Sequence, residues 1–243
     1  MGYREFPPPA GLRELVECGW VMRGPAAPVR VLPDGCMDLI RMNGRIVVAG
    51  PDTTASVSVR DGETFVGLRF RPGTLPRLLG VPASALRDTR ATLDELTGPQ
   101  RDRSLLELAA SLAAGAPRAD TAPWSLPVLG QVTSSLAAGA PVTEVAQATG
   151  WSSRTLQRQC AAVYGYGPAT LRRILRFRRA VRLLRTGLPC GDVAAIAGYA
   201  DQPHLYRDVR ELAGIPLPAL LSDQCASVAN RSTEVPSGSS TVA

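Results

Sequence analysis

The sequence contains no lysine and a single histidine, and these scarcities limit the chemistry that it can support. All 27 basic residues are arginine, which codon bias in a high-GC genome explains, although arginine also suits bidentate recognition of guanine and phosphate. His204 alone does not complete a histidine-based zinc cluster, and the five cysteines show no C-x-x-C spacing. We therefore expect no metal site and no cofactor.

Long apolar runs and a recognisable signal peptide are also missing. No uninterrupted apolar run reaches the roughly 18 residues that a transmembrane helix needs, so we expect no membrane association. An odd number of cysteines, together with the missing signal peptide, predicts a reducing, cytoplasmic environment.

The charge of the chain is modestly basic and unevenly distributed. The 243 residues are 45% apolar, which is enough for two small domains with their own cores. Residues 1–119 carry 15 arginines against 13 acidic residues, whereas residues 120–224 carry 11 against 7. This is the distribution expected if the second half of the chain contacts nucleic acid.

Two stretches of the second half, 48 residues apart, follow the same pattern. In each, a short helix with a small alanine ends at a glycine followed by an aromatic residue, and a polar residue then opens a second helix containing Leu-x-Arg. The stretches run from Val142 to Arg158 and from Gly191 to Arg207. A glycine at such a helix end commonly adopts φ > 0. The repeated pattern predicts two helix-turn-helix units.

The second helix of each unit separates buried from outward positions. Ser152 or Ser153 is suited to cap its first turn in the first unit, as Asp201 is in the second. Apolar residues recur at i, i+4 and i+7, at Leu156, Cys160 and Val163 and again at Leu205, Val209 and Leu212. The outward residues, which we predict contact base edges or phosphates, are Arg154, Gln157, Arg158, Gln202, His204, Tyr206 and Arg207.

An arginine-rich segment without glycine or proline connects the two units. Residues Ala169 to Arg185 predict a helix that is about 26 Å long and buried along one side. With one unit packed at each end, this helix can hold the two recognition helices about 34 Å apart, which is roughly one turn of DNA. Such a helix is more often a solvated face than a binding surface, and some of its arginines can instead meet phosphates or acidic residues of the same domain. A bundle whose paired helices only pack together is the simpler alternative for the whole region.

Short motifs extend this two-unit pattern across residues 141 to 221. They are Ala146, Gly150, Ser152, Leu156-Gln157-Arg158, Gly165-x-x-Pro168, Arg176-x-x-x-Ala180, Leu183-Leu184, Val193-Ala194, Gly198-Tyr199, Asp201-Gln202 and Leu205-x-Arg207. Together they resemble the DNA-binding domain of the AraC/XylS family of bacterial transcription regulators. The resemblance implies that the seven outward residues read the major groove, and that double-stranded DNA and RNA polymerase are partners.

Three places depart from that family pattern. Cys160 and Val209 replace the usual phenylalanine of each recognition helix, which thins the core but keeps it apolar. The segment from Gly214 to Pro218 shifts the closing Gly-x-x-Pro and affects the geometry of the C-terminal helix. Pro203 replaces a residue that is often polar, which removes one base contact from the second unit.

The first hundred residues predict a β-rich domain. Short apolar segments separated by turn residues predict strands at Leu15–Met22, Arg30–Leu32, Cys36–Met42, Arg45–Ala49, Ser56–Val59 and Thr64–Phe70. The strongest turn signal is Asn43-Gly44, which predicts a two-residue hairpin. Helices are predicted to follow at Thr74–Leu79, Ser84–Arg87, Thr92–Leu96, Arg101–Ala114 and Ser125–Ala137.

These patterns together predict an α+β fold with a β-rich N-terminal domain, trailing helices and an all-α, double helix-turn-helix C-terminal domain. The predicted parts are a β-rich sensor or dimerisation domain (1–98), a helix and linker (99–119), the AraC-type DNA-binding domain (120–224) and a disordered tail (225–243). The tail is rich in serine, threonine and glycine and has little to bury.

Three motifs stand out in the β-rich domain. They are Leu32-Pro33-Asp34-Gly35-Cys36-Met37-Asp38-Leu39, Ala49-Gly50-Pro51-Asp52-Thr53 and Phe65-x-Gly67-Leu68-Arg69-Phe70-Arg71-Pro72-Gly73. They are similar to an uncharacterised domain that precedes many helix-turn-helix regulators, which implies a module for a small-molecule effector or for homodimerisation. Arg69 and Arg71 alternate along a strand and are candidates for contacting an anionic effector, with Asp34 and Asp38 as the alternative cluster. The simpler interpretation is that Arg69 and Arg71 lie on a strand face that is exposed or paired with other residues of the domain.

Two other classes of function compete with a specific regulator. Some DNA-repair proteins combine an AraC-like domain with a cysteine methyl acceptor, for which Cys36 is the candidate here. That chemistry needs a thiolate activated by zinc or by a neighbouring base, and no such cluster is visible in the sequence. A non-specific architectural DNA-binding protein would favour dispersed basic charge and wedging side chains. We expect a transcription regulator and no enzyme activity.

Overall fold

The computed structural model of the chain describes residues 2–26, 28–59, 62–100 and 103–228, with side chains as far as residue 222. The last helix ends at Val228 and therefore contains the first four residues of the predicted disordered tail. The rest of that tail, residues 229–243, lies outside the described ranges.

Within the described residues, eight strands build the N-terminal part. They are β1 (Gly2–Phe6), β2 (Val16–Arg23), β3 (Pro28–Val31), β4 (Met37–Met42), β5 (Arg45–Ala49), β6 (Ser56–Val59), β7 (Phe65–Phe70) and β8 (Arg90–Thr92). Six form an antiparallel sheet in the order β1-β2-β7-β4-β5-β8, and β3 pairs with β6 in a separate two-stranded sheet. The hairpin at Asn43-Gly44 is confirmed, since both residues have positive φ and join β4 to β5.

The structure adds two strands, β1 and β8, that the sequence analysis does not predict. Both lie at the edges of the large sheet. β1 has no buried residue and therefore lacks clear apolar alternation, and β8 is only three residues long. The other six strands lie where the sequence predicts them, with ends that differ by at most two residues.

The described chain also contains ten α-helices. They are α1 (Thr74–Leu79), α2 (Leu93–Thr97), α3 (Leu105–Ala113), α4 (Leu126–Ala137), α5 (Val142–Ala148), α6 (Ser153–Tyr164), α7 (Pro168–Leu184), α8 (Cys190–Ala197), α9 (Gln202–Ala213) and α10 (Leu217–Val228). No helix among the described residues combines the length and the hydrophobicity needed to cross a bilayer.

Two of the predicted helices are corrected by the structure. The predicted helix Ser84–Arg87 is a short 3-10 turn at Ala83–Ala85. The predicted helix from Arg101 has its first two residues outside the described ranges, and the helix that the structure shows begins at Leu105, after the N-cap Ser104. The Ser104 hydroxyl accepts a hydrogen bond from the Glu107 amide, and the Glu107 carboxylate accepts one from the Ser104 amide at 2.9 Å.

The fold is stabilised by two large apolar cores and by a small third cluster of Cys18, Trp20 and Phe65. The two large cores meet where the N-terminal part contacts the C-terminal helices. The first core lies between one face of the large sheet and helices α1 and α3, and the second lies among α4 to α10. They come close at Gly73, where a Cβ would lie 2.6 Å from Val163 and 2.9 Å from Tyr164. Residues before the predicted linker therefore contact residues that follow it. The domain boundaries stay a prediction.

Candidate nucleic-acid interface

The first helix-turn-helix unit consists of α5, a turn and α6. Gly150 has φ +70, and the amide of Trp151 donates to the carbonyl of Ala146 at 3.0 Å, which folds the chain back after α5. The Ser152 hydroxyl accepts a hydrogen bond from the Thr155 amide at 3.1 Å. Ser152, and not Ser153, is therefore the N-cap of α6.

The second unit repeats this construction with α8 and α9. Gly198 has φ +85, and the amide of Tyr199 donates to the carbonyl of Ala194 at 2.8 Å. The Asp201 carboxylate caps α9 by accepting from the amide of His204 at 2.7 Å. The aromatic residue after each glycine thus makes the same backbone contact to a buried alanine, as the repeat predicts.

The second helix of each unit is anchored by the predicted apolar stripe. Its members, all at most 3% exposed, are Leu156, Cys160, Val163, Leu205, Val209 and Leu212. Cys160 and Val209, which stand where the family has phenylalanine, are fully buried, so the smaller side chains leave the stripe apolar and closed to solvent.

The outward face of the second helices holds six of the seven predicted DNA-binding residues. Arg154, Gln157, Arg158, Gln202, Tyr206 and Arg207 are all exposed. Arg158 and Arg207 each follow the buried leucine of their helix by two positions and therefore match each other. At the position that matches Arg154 the second unit has Pro203, so its outward face carries one charged donor fewer.

His204 does not lie outward as the sequence analysis predicts. Its ring is half-buried and contacts the edge of Tyr199, with the ring centroids 5.1 Å apart. Its Nδ1 accepts from the amide of Ala200 at 3.4 Å, and its Nε2 lies 3.4 Å from a guanidinium nitrogen of Arg176. The side chain is thus held inside the unit, and this geometry favours a structural role.

A buried carboxylate, which the sequence analysis does not identify, attaches the second unit to α7. Asp208 on α9 is 4% exposed and pairs with Arg173 at 2.6 Å and with Arg176 at 2.9 Å. The Arg176 guanidinium also lies 4.3 Å above the ring of Tyr199. These two arginines of α7 therefore neutralise an acidic residue of the same region, the alternative that the sequence left open. An acidic residue directly before the buried Val209 of the apolar stripe is the signal that points to it.

Two protein-family models match the chain. A helix-turn-helix domain matches residues 145–221, and a domain of unknown function (DUF6597) matches residues 4–92. The C-terminal region is an AraC-type helix-turn-helix domain. Both resemblances found in the sequence are thereby confirmed, and the AraC-type domain supports a DNA-binding transcription regulator.

Solved structures of ToxT from Vibrio cholerae are distantly similar to the chain. A 1.65 Å structure has 10% identity and a TM-score of 0.47, covering 92% of this chain and 99% of that one. ToxT bound to (E)-4-(8-methylnaphthalen-1-yl)but-3-enoic acid has 9% identity, the same TM-score and the same coverage. ToxT bound to an unsaturated fatty acid has 9% identity and a TM-score of 0.40, covering 84% and 90%. A comparison with curated proteins gave no match.

A polar contact joins α7 of the AraC-type domain to the large sheet. The Arg178 guanidinium pairs with the carboxylate of Glu17 on β2, and it lies 3.4 Å from both the Cys36 sulfur and the Asp34 carbonyl. Burial alone would raise the pKa of Glu17, but the Arg178 charge lowers it below its usual value. The pair therefore stays ionised at neutral pH and connects the two parts of the chain.

The thiol of Cys36 is poorly suited to act as a nucleophile. It is 5% exposed and donates to the Glu17 carboxylate at 3.4 Å. Burial, reinforced by the negative charge of Asp34, raises its pKa well above the usual value. Among the described residues no group of three or more His, Cys, Asp and Glu side chains could hold a metal ion. The geometry therefore lacks the activated thiolate that a methyl acceptor needs.

The candidate effector residues Asp34, Asp38 and Arg69 lie together, whereas Arg71 does not join them. Arg69 Nε lies 3.4 Å from the Asp34 carboxylate and 3.6 Å from that of Asp38. Arg71 follows the end of β7 and donates to the carbonyl of Arg13 at 2.9 Å. Three of the four charges thus pair with one another inside the domain, and an effector role for the set stays a prediction.

Proposed function

We propose that the protein is a sequence-specific transcription regulator whose two helix-turn-helix units read successive segments of the major groove. The observation that carries this proposal is the repetition of one geometry. Each unit has the same glycine turn, the same aromatic-to-alanine hydrogen bond, a side-chain cap and an exposed arginine at the matching position, Arg158 or Arg207.

Reading of bases rests on the exposed face of each second helix. An arginine fork at Arg158 or Arg207 matches the O6 and N7 acceptors of guanine, and the amide of Gln157 suits adenine. The Gln157 side chain rests against Gly167, where a Cβ would lie 2.1 Å from its amide nitrogen, so this glycine leaves room for it. Gln202 donates to the Tyr206 hydroxyl at 2.6 Å, which holds these two side chains together on α9.

Affinity comes from phosphate contacts made by the remaining exposed arginines. Arg173, Arg176 and Arg178 pair with carboxylates of the protein, so their charges contribute little to DNA binding. Exposed arginines outside these pairs include Arg154, Arg179 and Arg210. Each phosphate that such residues neutralise contributes about −0.9 to the slope of log K against log salt concentration.

The N-terminal domain is the regulatory input in this proposal. It senses a small-molecule effector or mediates homodimerisation and thereby changes operator affinity by about 1–3 kcal/mol. The contact between Arg178 and Glu17 supports the proposal, because it links the sheet to the helix that joins both units. As a transcription regulator the protein would also contact RNA polymerase.

Competition between duplexes tests the proposal. Full-length protein is incubated with a labelled duplex selected from a random pool, and unlabelled copies or random duplexes then compete at several salt concentrations. We expect random duplexes to compete at least about 1000-fold less well. The double variant Arg158→Ala, Arg207→Ala is the matched control and should lose the preference while retaining salt-dependent binding. Equal competition by random duplexes would favour an architectural protein and contradict the proposal.

A further inference from the structure

Both second helices of the AraC-type domain end against arginines of the N-terminal domain. Helices α6 and α9 each contain 12 residues and each stops at a glycine with positive φ, Gly165 and Gly214. The last carbonyl groups of a helix have no amide partner within the helix and carry the negative end of its dipole. At both helix ends the N-terminal domain supplies the donor.

At the end of α9 the donors come from the small two-stranded sheet. The Arg30 guanidinium on β3 donates to the carbonyl of Ala213 at 3.0 Å. The amide of Ala55, directly before β6, donates to the carbonyl of Leu212 at 2.7 Å. Two successive carbonyls of the helix end thus accept hydrogen bonds from the small sheet and from the residue that precedes it, and one of the donors is cationic.

At the end of α6 the donor comes from the segment before β8. The Arg87 guanidinium donates to the carbonyl of Gly165 at 3.3 Å. A Cβ at Gly165 would lie 2.5 Å from Pro51 and 3.2 Å from the carbonyl of Ala83, so the helix end is enclosed by the N-terminal domain. The N-terminal domain therefore contacts the first unit as well as the second.

These contacts limit a motion that α7 alone would permit. The second unit is attached to α7 through Asp208 and Glu211 of α9 and through the apolar stripe as far as Leu212, and the far end of α9 at Ala213 lies beyond the side chains that pair with α7. Arg30 and Ala55 hold that far end. Contacts at three places thus set the distance and angle between α6 and α9. These places are the C-terminal end of α6, helix α7 and the C-terminal end of α9.

We propose that the N-terminal domain determines which spacing of half-sites the protein accepts, with Arg30 and Arg87 as positioning residues. This inference rests on the proposed reading of two major-groove segments. Inserting one base pair displaces a half-site by about 3.4 Å and rotates it by about 35°. Two units that are held at both ends cannot move to match the displaced half-site, so the DNA itself must twist. Two units of which one has lost its contact to the N-terminal domain can move to match the displaced half-site.

The test measures affinity as a function of half-site spacing for the full-length protein. Two half-sites obtained by selection are placed in duplexes whose spacing varies in steps of one base pair. Wild type should lose about tenfold in affinity one step from its optimum, because DNA deformation opposes binding. Arg30→Ala should flatten this profile to about threefold or less while binding each isolated half-site within about twofold of wild type.

Three further variants make the result decisive. Arg30→Lys keeps a cationic donor and should restore part of the spacing preference. Arg23→Ala removes an exposed arginine of β2, outside the contacts to α6 and α9, and should retain the wild-type profile. Arg87→Ala releases α6 instead and should also flatten the profile, which provides a second test if Arg30→Ala fails to fold.

The outcomes separate this inference from the proposed function. A wild-type profile in both Arg30→Ala and Arg87→Ala, with normal folding, would overturn the positioning role. A wild-type protein that binds all selected and random duplexes equally would instead overturn the proposed function on which the inference rests.

Discussion

The indole rings of Trp124 and Trp151 stack with their centroids 5.1 Å apart and their planes inclined by 15°. Trp151 is the aromatic residue in the turn of the first unit, and Trp124 lies just before α4. The carbonyl of Trp124 accepts a hydrogen bond from Arg77 of α1 at 2.8 Å. The turn of the first unit is therefore connected through one stacked pair to the N-terminal domain.

Replacing Trp124 should destabilise the protein strongly. Trp124 is 4% exposed and also contacts the ring of Tyr164, so Trp124→Ala should lower the free energy of unfolding by about 3–5 kcal/mol. Trp124→Phe keeps an aromatic ring and should cost clearly less. Urea unfolding of the full-length variants measures both values. A loss below about 1 kcal/mol for the alanine variant would show that the stacked pair contributes little.

Asp208 should contribute to stability through its charge. Asp208→Asn preserves the shape of the side chain but removes its charge and leaves an acceptor oxygen for only one of the two arginines, Arg173 or Arg176. The free energy of unfolding should fall by about 1.5–3 kcal/mol. The matched control is Glu211→Gln, which removes the charge of a 64% exposed partner of Arg173 and should cost less than about 1 kcal/mol. Equal losses in the two variants would argue against a special role for the buried carboxylate.

Most of the fold could be predicted from the sequence because its signals are local. The six predicted strands are short apolar-rich segments separated by turn residues, and Asn43-Gly44 specifies a hairpin directly. β1 and β8 could not be predicted, because each is an edge strand that is defined by its partner, β2 or β5. The start of α3 at Leu105 depends on the cap at Ser104, a single-residue feature that apolar spacing does not reveal.

The candidate site could be predicted only in part, for a similar reason. Caps, glycine turns and apolar stripes follow from residues close in sequence. Asp208 meets Arg173 and Arg176 across 35 and 32 residues, and Arg30 meets Ala213 across 183 residues. The burial of His204 depends on Tyr199 and Arg176, which pack against it only in the folded chain. Such pairings arise from tertiary packing, which spacing along the sequence does not encode.

The largely buried carboxyl group of Asp38 should make stability depend on pH. Burial raises its pKa from 3.8 to about 6, against the opposing charge of Arg69. The folded state thus binds this proton more tightly than the unfolded state does. The resulting stabilisation is complete below pH 3.8 and is lost as the pH rises through about 6. Relative to Asp38→Asn, the wild type should therefore lose stability between these pH values.

Unfolding experiments on both proteins across this range measure the effect, since contributions of other groups largely cancel in the difference. Glu95→Gln is the control with the opposite sign, because hydrogen bonds from Thr92 lower the pKa of Glu95. Relative to that variant, the wild type should gain stability as the pH rises. A flat difference between wild type and Asp38→Asn would contradict the raised pKa.

The matching arginines of the two units should each control one base position. If Arg158 makes a bidentate contact to guanine, Arg158→Ala should cost about 1–3 kcal/mol of binding free energy and relax the preference at one position. Arg207→Ala should do the same in the other half-site. Binding measurements on a set of single-base variants of the selected duplex distinguish the positions. A uniform loss across all of these duplexes would reassign the arginine to phosphate contact.

Selection of duplexes from a fully random pool by the full-length protein tests the central claim most directly. Sequencing of the bound fraction should reveal two short conserved blocks whose centres are roughly 10 base pairs apart, one turn of DNA. The block read by the second unit should carry less information, because Pro203 stands where the first unit has Arg154. Assignment of blocks to units follows from repeating the selection with Arg158→Ala and Arg207→Ala. A pool without enrichment, or with a single conserved block, would contradict the claim that two units read DNA in succession.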